Sequence, residues 1–273
     1  MNLIAKYTAN ASGVVPTFNS GYQYTVNETV SDGIYTVEIS SDSDFSSCSF
    51  NGKSNLLTVE CLKVTNKVTS MKNMFNSCNQ LTQLDMSNWD TSNVTDMSNM
   101  FYACRKFIQL DLSNWDTSSV TTMKSMFNTC TSLTQLDASN WDISNVKVMD
   151  YMFSSCSQLT QLDVSNWNMG RVFNMTDMFY YCISLNNVIA TNVSTSTLSI
   201  LVGQLPTKKS DSYGDIRATN STEKIISSAN AKYWNIYDIV NCRLRFMNTN
   251  KKLGRIKSGK GNVHIITTHK RKM

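Results

Sequence analysis

The 273-residue sequence has little proline, glycine, histidine or charge. It contains 2 prolines, 10 glycines and 2 histidines, and charged residues make up 16% of the chain. The shortage of glycine and proline excludes a collagen-like or Gly/Pro-rich low-complexity chain and predicts turns formed mainly by Asn, Asp, Ser and Thr. Hydrophobic residues make up 41%, which is enough for a buried core, so disorder throughout is excluded.

Catalytic and metal-binding patterns are also missing. Both histidines, His264 and His269, lie close to the C-terminus, so a histidine-based triad in the body of the protein is excluded. The stretch from Gly254 to Gly261 fits the phosphate-loop pattern G-x-x-x-x-G-K, but Gly261 replaces the Ser or Thr that would bind magnesium. Neither a C-x-x-C pair nor a neighbouring histidine gives zinc-ligand spacing. The sequence therefore predicts no enzyme, no metal and no cofactor.

Long apolar runs are absent too. The longest candidate, around Leu198 to Val202, is far short of the roughly 20 residues that cross a membrane. The N-terminus has three apolar residues, Leu3, Ile4 and Ala5, where a signal peptide needs a run of at least about seven. These absences predict cytoplasmic synthesis without a signal peptide and no membrane span. Residence in a virion fits this expectation better than residence on a cell surface.

A 26-residue repeat dominates the middle of the sequence. Four residue types recur at this step. They are Phe75, Phe101, Phe127, Phe153 and Phe179; Cys78, Cys104, Cys130, Cys156 and Cys182; Trp89, Trp115, Trp141 and Trp167; and Leu84, Leu110, Leu136 and Leu162. A fixed period with fixed residue types requires one structural unit stacked on itself.

Two shorter periods can be found inside each repeat. Leu84 and Met86 alternate with polar residues, which predicts a strand. From Val94 onward the apolar residues are Val94, Met97, Met100, Phe101 and Cys104, which fall on one face of a short helix. The sequence therefore predicts an α/β, leucine-rich-repeat-type solenoid with one strand and one short helix per repeat.

These residues resemble a known family. The pattern L-x-x-L-x-[MLAV] followed by S-N-W-D-T-S-N-V-T-x-M-x-x-M-F-x-x-C is similar to the BspA-type leucine-rich repeats of bacterial surface proteins and of some phage-encoded and protist proteins. The resemblance covers residues 56–190. Trp89 stands where the standard leucine-rich repeat has an inward Asn or Cys, so an asparagine ladder is not expected. The resemblance implies a non-enzymatic protein that contacts proteins or glycans, such as a phage structural or host-interaction protein.

Four regions follow from these patterns. We predict a β-rich N-terminal cap in residues 1–55, the solenoid in 56–190, a C-terminal cap in 191–240 and a basic tail in 241–273. The C-terminal cap is predicted to contain a helix from Ala229 to Trp234. Caps are expected because a solenoid must cover the apolar surface at its ends.

The cysteine and tryptophan columns favour a structural role. Equivalent positions on neighbouring helices would lie roughly 8 to 10 Å apart, too far for disulfides, so buried thiols are predicted. Cys48, Cys61 and Cys242 lie outside the column, and their pairing stays open. The tryptophans are predicted to pack in the core, with a stacking platform for sugars or bases as the alternative.

The polar residues of each strand form the predicted ligand-facing sheet surface. Its twelve members are Gln83, Asp85, Ser87, Gln109, Asp111, Ser113, Gln135, Asp137, Ser139, Gln161, Asp163 and Ser165. Strands about 4.8 Å apart would place the aspartates in a line, where they repel one another. Solvent screening together with Ser and Gln hydrogen bonds would relieve this repulsion, and a bound cation or a basic partner is the alternative.

Charge is distributed unevenly along the chain. Residues 78–202 carry 5 basic and 10 acidic side chains, whereas residues 203–273 carry 15 basic and 4 acidic ones. From residue 243 onward there is no acidic residue. The basic residues of the tail are Arg243, Arg245, Lys251, Lys252, Arg255, Lys257, Lys260, Lys270, Arg271 and Lys272. They predict either a solvated extension or a site for an anionic partner, nucleic acid or an acidic protein, so an intracellular nucleic-acid-associated adaptor is the alternative function.

Overall fold

A computed structural model describes residues 1–206, 214–218, 234–238 and 243–246, which contain thirteen strands and one helix. The strands are β1 Asn2–Ala9, β2 Thr17–Phe18, β3 Thr25–Ser31, β4 Ile34–Ser41, β5 Cys48–Ser49, β6 Leu56–Leu62, β7 Gln83–Leu84, β8 Gln135–Asp137, β9 Gln161–Asp163, β10 Asn187–Ala190, β11 Gly214–Ala218, β12 Trp234–Asp238 and β13 Arg243–Phe246. The helix, α1, spans Thr195–Gln204.

The strands form two main sheets and a small two-stranded one. The first sheet has the order β3-β4-β1-β6-β7, antiparallel except for the parallel pair β6 and β7. The second has the order β13-β12-β11-β10-β9-β8 and is parallel except for β12 and β13. The register of the parallel ladder follows the repeat, because Leu136 pairs with Leu162 and Leu162 with Val188. The repeat region is therefore a β-solenoid in which each coil adds one strand, except the coil at residues 109–111.

The helices predicted inside the repeats are replaced by consecutive four-residue turns. The N–H of Met74 donates to the carbonyl of Met71, and the N–H of Cys78 to the carbonyl of Phe75. Both bonds span three residues, whereas an α-helix bonds residues four apart. The third residue of each turn has a positive φ, 58° at Asn73 and 62° at Ser77, as type II turns require. A helix cannot accommodate these residues, so the prediction of one short helix per repeat was wrong.

The turns of neighbouring coils are joined by a regular set of hydrogen bonds. The N–H groups of Met71, Asn73 and Phe75 donate to carbonyls of the next coil. The four donors of each coil are residues 71, 73, 75 and 77, then 97, 99, 101 and 103, then 123, 125, 127 and 129, then 149, 151, 153 and 155. This turn side of the solenoid lies opposite the strand side. It fixes the stacking distance at every step from residue 71 to residue 180.

Aromatic rings fill the interior between the two sides. Phe50, Phe75, Phe101, Phe127, Phe153 and Phe179 form one stack with centroid separations of 5.5 to 5.9 Å. All six are fully buried. The predicted leucine column is less uniform, because Leu136 and Leu162 are buried while Leu84 and Leu110 are half-buried.

The two ends of the solenoid are built differently. Residues 1–55 contain β1 to β5, and Phe50 and Gly52 donate N–H groups to the carbonyls of Met74 and Asn76. At the other end, α1 begins after Ser194, whose side chain accepts from the N–H of Thr197. That both ends act as caps stays a prediction. No helix in the described ranges is long and apolar enough to cross a membrane.

The predicted helix at 229–234 falls mostly outside the described residues. Its last residue, Trp234, begins β12 instead. Trp234 is buried, its indole N–H donates to the carbonyl of Pro206, and its ring packs on Gly214. A Cβ at Gly214 would overlap that ring, so glycine is required there for close approach.

Candidate ligand-facing sheet surface

The strand side of the solenoid presents the polar residues that the sequence assigned to it. Gln83 lies on β7, Gln135 and Asp137 on β8, and Gln161 and Asp163 on β9. Residues 109–111 occupy the equivalent place in the intervening coil without forming a strand. The alternation predicted for these segments is present, since the intervening leucines point into or against the core.

Two adjoining depressions run along this surface. The first has a volume of about 430 Å³ and is lined by Gln109, Leu110, Asp111, Gln135, Leu136, Asp137, Gln161 and Asp163. The second, of about 310 Å³, is lined by Thr82, Gln83, Leu84, Phe107, Gln109, Leu110 and Asp111. Gln109, Leu110 and Asp111 belong to both, so the depressions meet at the coil whose strand is missing. Seven of the twelve predicted residues line them.

The serines have a local structural role in the turn after each strand. The N–H of Ser87 donates to Oδ1 of Asp85 at 2.9 Å, and the N–H of Ser139 donates in the same way to Asp137. This contact is an Asx turn, in which an aspartate accepts from the backbone two residues later. Ser165 is buried and its hydroxyl accepts from Thr191, so this member of the predicted surface faces a neighbouring coil.

Hydrogen bonds from Ser87 and Ser113 stabilise the ionised forms of Asp85 and Asp111. The backbone N–H of Ser87 lowers the pKa of Asp85, and the hydroxyl of Ser113, at 2.7 Å, lowers the pKa of Asp111. Each carboxylate thus has one oxygen held by its turn. The relief of repulsion by solvent screening and by Ser and Gln hydrogen bonds stays a prediction. Among the described residues, no three His, Cys, Asp or Glu side chains form a group that could hold a metal ion.

A second aspartate column, not predicted from the sequence, lies in the same coils. Asp90 accepts from both the N–H and the hydroxyl of Ser92, and the hydroxyl lowers its pKa. Asp116 and Asp142 repeat the contact with Ser118 and Ser144. The signal was available, because Asp-x-Ser recurs a second time in three successive repeats. This second column lines neither depression.

The strand side is interrupted at one coil. Thr134 donates its N–H and its hydroxyl to the carbonyl of Ile108, and Thr160 donates both groups to the carbonyl of Thr134. Ile108 occupies the same position but has no hydroxyl, and 63% of its side chain is exposed. In the described chain, no backbone hydrogen bond joins residues 107–111 to residues 82–85. The two sheets therefore end on either side of this coil, and Leu84 and Leu110 are left half-buried there.

The tryptophan column packs in the core, as predicted. Trp89 stacks on Trp115 with centroids 6.1 Å apart, and Trp115 on Trp141 at 6.4 Å. The column is at most 5% exposed. Its rings are therefore not available as a platform for sugars or bases.

The cysteine column consists of buried thiols. The thiol of Cys104 donates to the carbonyl of Phe75 at 3.1 Å, and the same contact recurs at Cys130 and Cys156. Burial raises the pKa of Cys78 to about 12 and the pKa of Cys130 well above its ordinary value. These side chains are neutral hydrogen-bond donors inside the core. Cys48 and Cys61 are free thiols, and Cys242 lies outside the described residues.

Most of the predicted anionic-partner site lies outside the described residues. Arg243 and Arg245 are in β13. The other eight basic residues of the tail, Lys251, Lys252, Arg255, Lys257, Lys260, Lys270, Arg271 and Lys272, are beyond the described ranges.

Comparison with protein families identifies the repeat. A family model described as "Mycoplasma protein of unknown function, DUF285" matches residues 44–140 and again residues 108–200. The two matches together cover more than half of the chain. No curated protein and no solved structure matches it.

Proposed function

This chain belongs to the DUF285 family, and we propose that it is a non-enzymatic repeat protein that binds an extended polypeptide on its strand side. The observation that carries the proposal is the pair of adjoining depressions that follow the sheet across successive coils. Together the two depressions form a shallow trough, and a trough suits an elongated ligand better than a compact one.

The chemistry of the trough favours a polypeptide with hydrogen-bond donors and some positive charge. Gln109, Gln135 and Gln161 offer amide donors and acceptors at matching positions in three coils. Asp111, Asp137 and Asp163 offer carboxylate oxygens beside them. The half-buried Leu84 and Leu110 provide an apolar floor where the sheet is interrupted. Alternating polar and apolar contacts are what an extended peptide requires.

A glycan fits this trough less well. Sugar-binding surfaces generally present aromatic rings against the apolar face of the sugar. The tryptophans are buried in the core, and Phe107, the one aromatic side chain among the described residues that line the trough, is only 1% exposed. We therefore place the polypeptide ahead of the glycan that the sequence analysis left open.

The aspartate side chains of the trough are also ordered before a ligand binds. Each aspartate is fixed by its Asx turn, as in Ser113 with Asp111 and Ser139 with Asp137. A side chain that is already ordered loses little conformational entropy on binding. Regular stacking of the coils on the turn side keeps the spacing of these groups constant.

Binding to an array of immobilised random-sequence peptides tests the proposal. The variant D111N/D137N/D163N keeps the oxygen that accepts from each serine but removes three charges from the trough. The matched control D90N/D116N/D142N makes the same change in the second aspartate column. We expect the trough variant to bind the selected peptides at least about tenfold more weakly and the control to bind like the wild type. Equal losses in both variants, or no loss in either, would contradict the proposal.

The resemblance to bacterial surface and phage-encoded repeats supports a proposal about where this peptide binding takes place. We propose that the partner is a component of a virion or of a host-facing assembly. Crosslinking of the full chain in intact particles, followed by identification of the peptide linked beside the trough, tests this setting. A partner crosslinked only to the turn side would contradict it.

The basic tail supports a second candidate function, binding of nucleic acid. Ten basic and no acidic residues lie between Arg243 and the C-terminus. Because Arg243–Phe246 forms β13, the deletion that tests this role removes residues 247–273 only. Loss of affinity for duplexes of unrelated sequence, with steep salt dependence in the intact chain, is the expected result. Unchanged duplex binding after the deletion would eliminate this function.

A further inference from the structure

Within the described part of the chain, the turn side of the last regular coil ends in a row of backbone N–H groups that have no hydrogen-bond acceptor. In the coil before it, the N–H of Met149 donates to the carbonyl of Asn174, and the N–H of Phe153 to the carbonyl of Met178. Tyr151 and Ser155 donate in the same way to Thr176 and Tyr180. Every alternate N–H of that coil is therefore satisfied by the coil that follows, at distances of 2.7 to 2.9 Å.

The equivalent groups one coil later have no such acceptor. They are the N–H groups of Met175, Asp177, Phe179 and Tyr181, and no hydrogen-bond acceptor faces them within the described ranges. Asp177 and Tyr181 are exposed residues. After β10, α1 occupies the positions 26 residues further along, and because a helix uses most of its backbone groups internally it cannot present a row of carbonyls. We define residues 173–183 as the terminal edge.

Apolar side chains are concentrated on this same edge. Phe173 is 74% exposed, Tyr180 61%, Tyr181 58% and Ile183 61%. The preceding coil carries Lys147, Ser154, Ser155 and Ser157 at these four positions. The coil with the unused donors is thus also the coil in which polar surface residues are replaced by large apolar ones. Exposed apolar patches of this kind mark interaction surfaces.

We propose that the terminal edge is a docking site for a polypeptide segment of another protein that adopts the turn conformation of this repeat. The interior of the solenoid shows how such an edge is occupied, because four successive coils accept the next turn segment through the same four N–H groups. A docked segment would supply carbonyls to the N–H groups of Asp177 and Tyr181, which are exposed, whereas Phe179 is only 1% exposed. Its apolar side chains would cover Tyr180, Tyr181 and Phe173.

Pairing of two identical terminal edges does not satisfy this geometry. The carbonyls of Asn174, Thr176 and Met178 already accept from the preceding coil. Each terminal edge therefore offers donors only, and two of them face to face would leave every donor unsatisfied. At the opposite end of a second copy, the carbonyls of Met74 and Asn76 already accept from Phe50 and Gly52, so half of the equivalent acceptor row is unavailable. The partner must bring its own free carbonyls, as in strand addition to a sheet edge.

Hydrogen exchange on the full chain tests this proposal. The probe is a labelled synthetic peptide of residues 147–157, which contains a complete turn segment of the repeat. In the free protein, we expect the amides of Asp177 and Tyr181 to exchange much faster than those of the equivalent Tyr151 and Ser155. Saturating peptide should slow exchange at 177 and 181 at least about tenfold. Slow exchange in the free protein would show that the chain closes its own edge and would overturn the proposal.

Peptide affinity with a matched pair of variants completes the test. Tyr180→Ser gives the terminal edge the residue found in the preceding coil, whereas the control Tyr102→Ser makes the same change in the same column of an interior coil. Fluorescence anisotropy should show about tenfold weaker binding for Tyr180→Ser and wild-type binding for Tyr102→Ser. Absence of binding at about 1 mM peptide, or equal weakening in both variants, would overturn the proposal.

Discussion

The turn side and the strand side of this solenoid hold neighbouring coils together in different ways. The turn side uses four backbone hydrogen bonds at every step between residues 71 and 180. The strand side uses segments of two to four residues in the repeat region and is interrupted at residues 109–111. The comparison indicates that the turns maintain the stack. The strand side can then vary in sequence, and the trough opens there.

The largest expected effect comes from removing a ring between the two sides. Phe127 stacks between Phe101 and Phe153 at 5.6 and 5.5 Å and is fully buried. Phe127→Ala should lower the free energy of unfolding by about 3–5 kcal/mol, because it leaves a cavity in the middle of the stack. Urea denaturation measures the loss. A loss below about 1 kcal/mol would show that the stack is not a cooperative core.

High pH should weaken the turn side through its buried thiols. Burial raises the folded pKa of Cys130, so the stability from its neutral form is fully present below the unfolded pKa of about 8.5 and is lost as pH rises above it. Cys130→Ala should reduce the fall in unfolding free energy by about 1.4 kcal/mol per pH unit above pH 9. Cys61→Ala, at a half-buried thiol, is the control and should change this slope less. Equal slopes in wild type and Cys130→Ala would contradict the account.

The repeat period predicted more of the fold than the local spacing did. The 26-residue step gave the stacked core and the alignment of Leu136 with Leu162, because identical residues must occupy identical environments. The spacing of Val94, Met97 and Met100 did not separate a helix from consecutive turns, since both bring residues three apart to one face. The deciding feature, a positive φ at residues such as Thr129 and Tyr151, is imposed by contacts with neighbouring coils and is not favoured by these residue types.

The exposed polar residues of the candidate site were predictable, because they follow the two-residue alternation of a strand. The interruption of the sheet was missed, because it depends on a single replaced residue. Gln109 and Asp111 were placed on the surface by the two-residue period of a strand. The interruption of the sheet depends on Ile108 replacing the threonine found at 82, 134 and 160. That difference is visible in the sequence, but its consequence requires knowing that Thr134 and Thr160 donate their hydroxyls to the preceding coil.

Restoring the threonine at position 108 should strengthen the strand side, so that its hydrogen bonding differs less from that of the turn side. Ile108→Thr supplies the hydroxyl that can donate to the carbonyl of Thr82, and it should raise the free energy of unfolding by about 0.5–1 kcal/mol. Ile108→Val keeps the branched side chain without the hydroxyl and should give no such gain. Chemical denaturation of the three proteins measures the difference. A gain of the same size with valine would show that lost hydrophobic exposure, and not the hydroxyl, is responsible.

The smallest effect on stability is expected at the trough itself. The carboxylate of Asp111 is solvent-exposed, and Asp111→Asn keeps the oxygen that accepts from Ser113. The free energy of unfolding at pH 7 should change by less than about 0.5 kcal/mol. Because the pKa of Asp111 is lowered in the folded state, its small contribution is present above the unfolded pKa and is lost as pH falls through the folded one. Destabilisation of more than about 2 kcal/mol would mean that the aspartate is structural.

Amide hydrogen exchange of the unmodified chain most directly tests whether the turn side holds the coils together more firmly than the strand side. The account predicts strong protection of residues 97, 99, 101 and 103 and of residues 123, 125, 127 and 129, because each donates to the next coil. It predicts fast exchange at residues 109–111, which lie between these two turn segments but form no strand. Protection of 109–111 equal to that of the turn side would contradict the account, because the strand side would then hold the coils as firmly as the turns do.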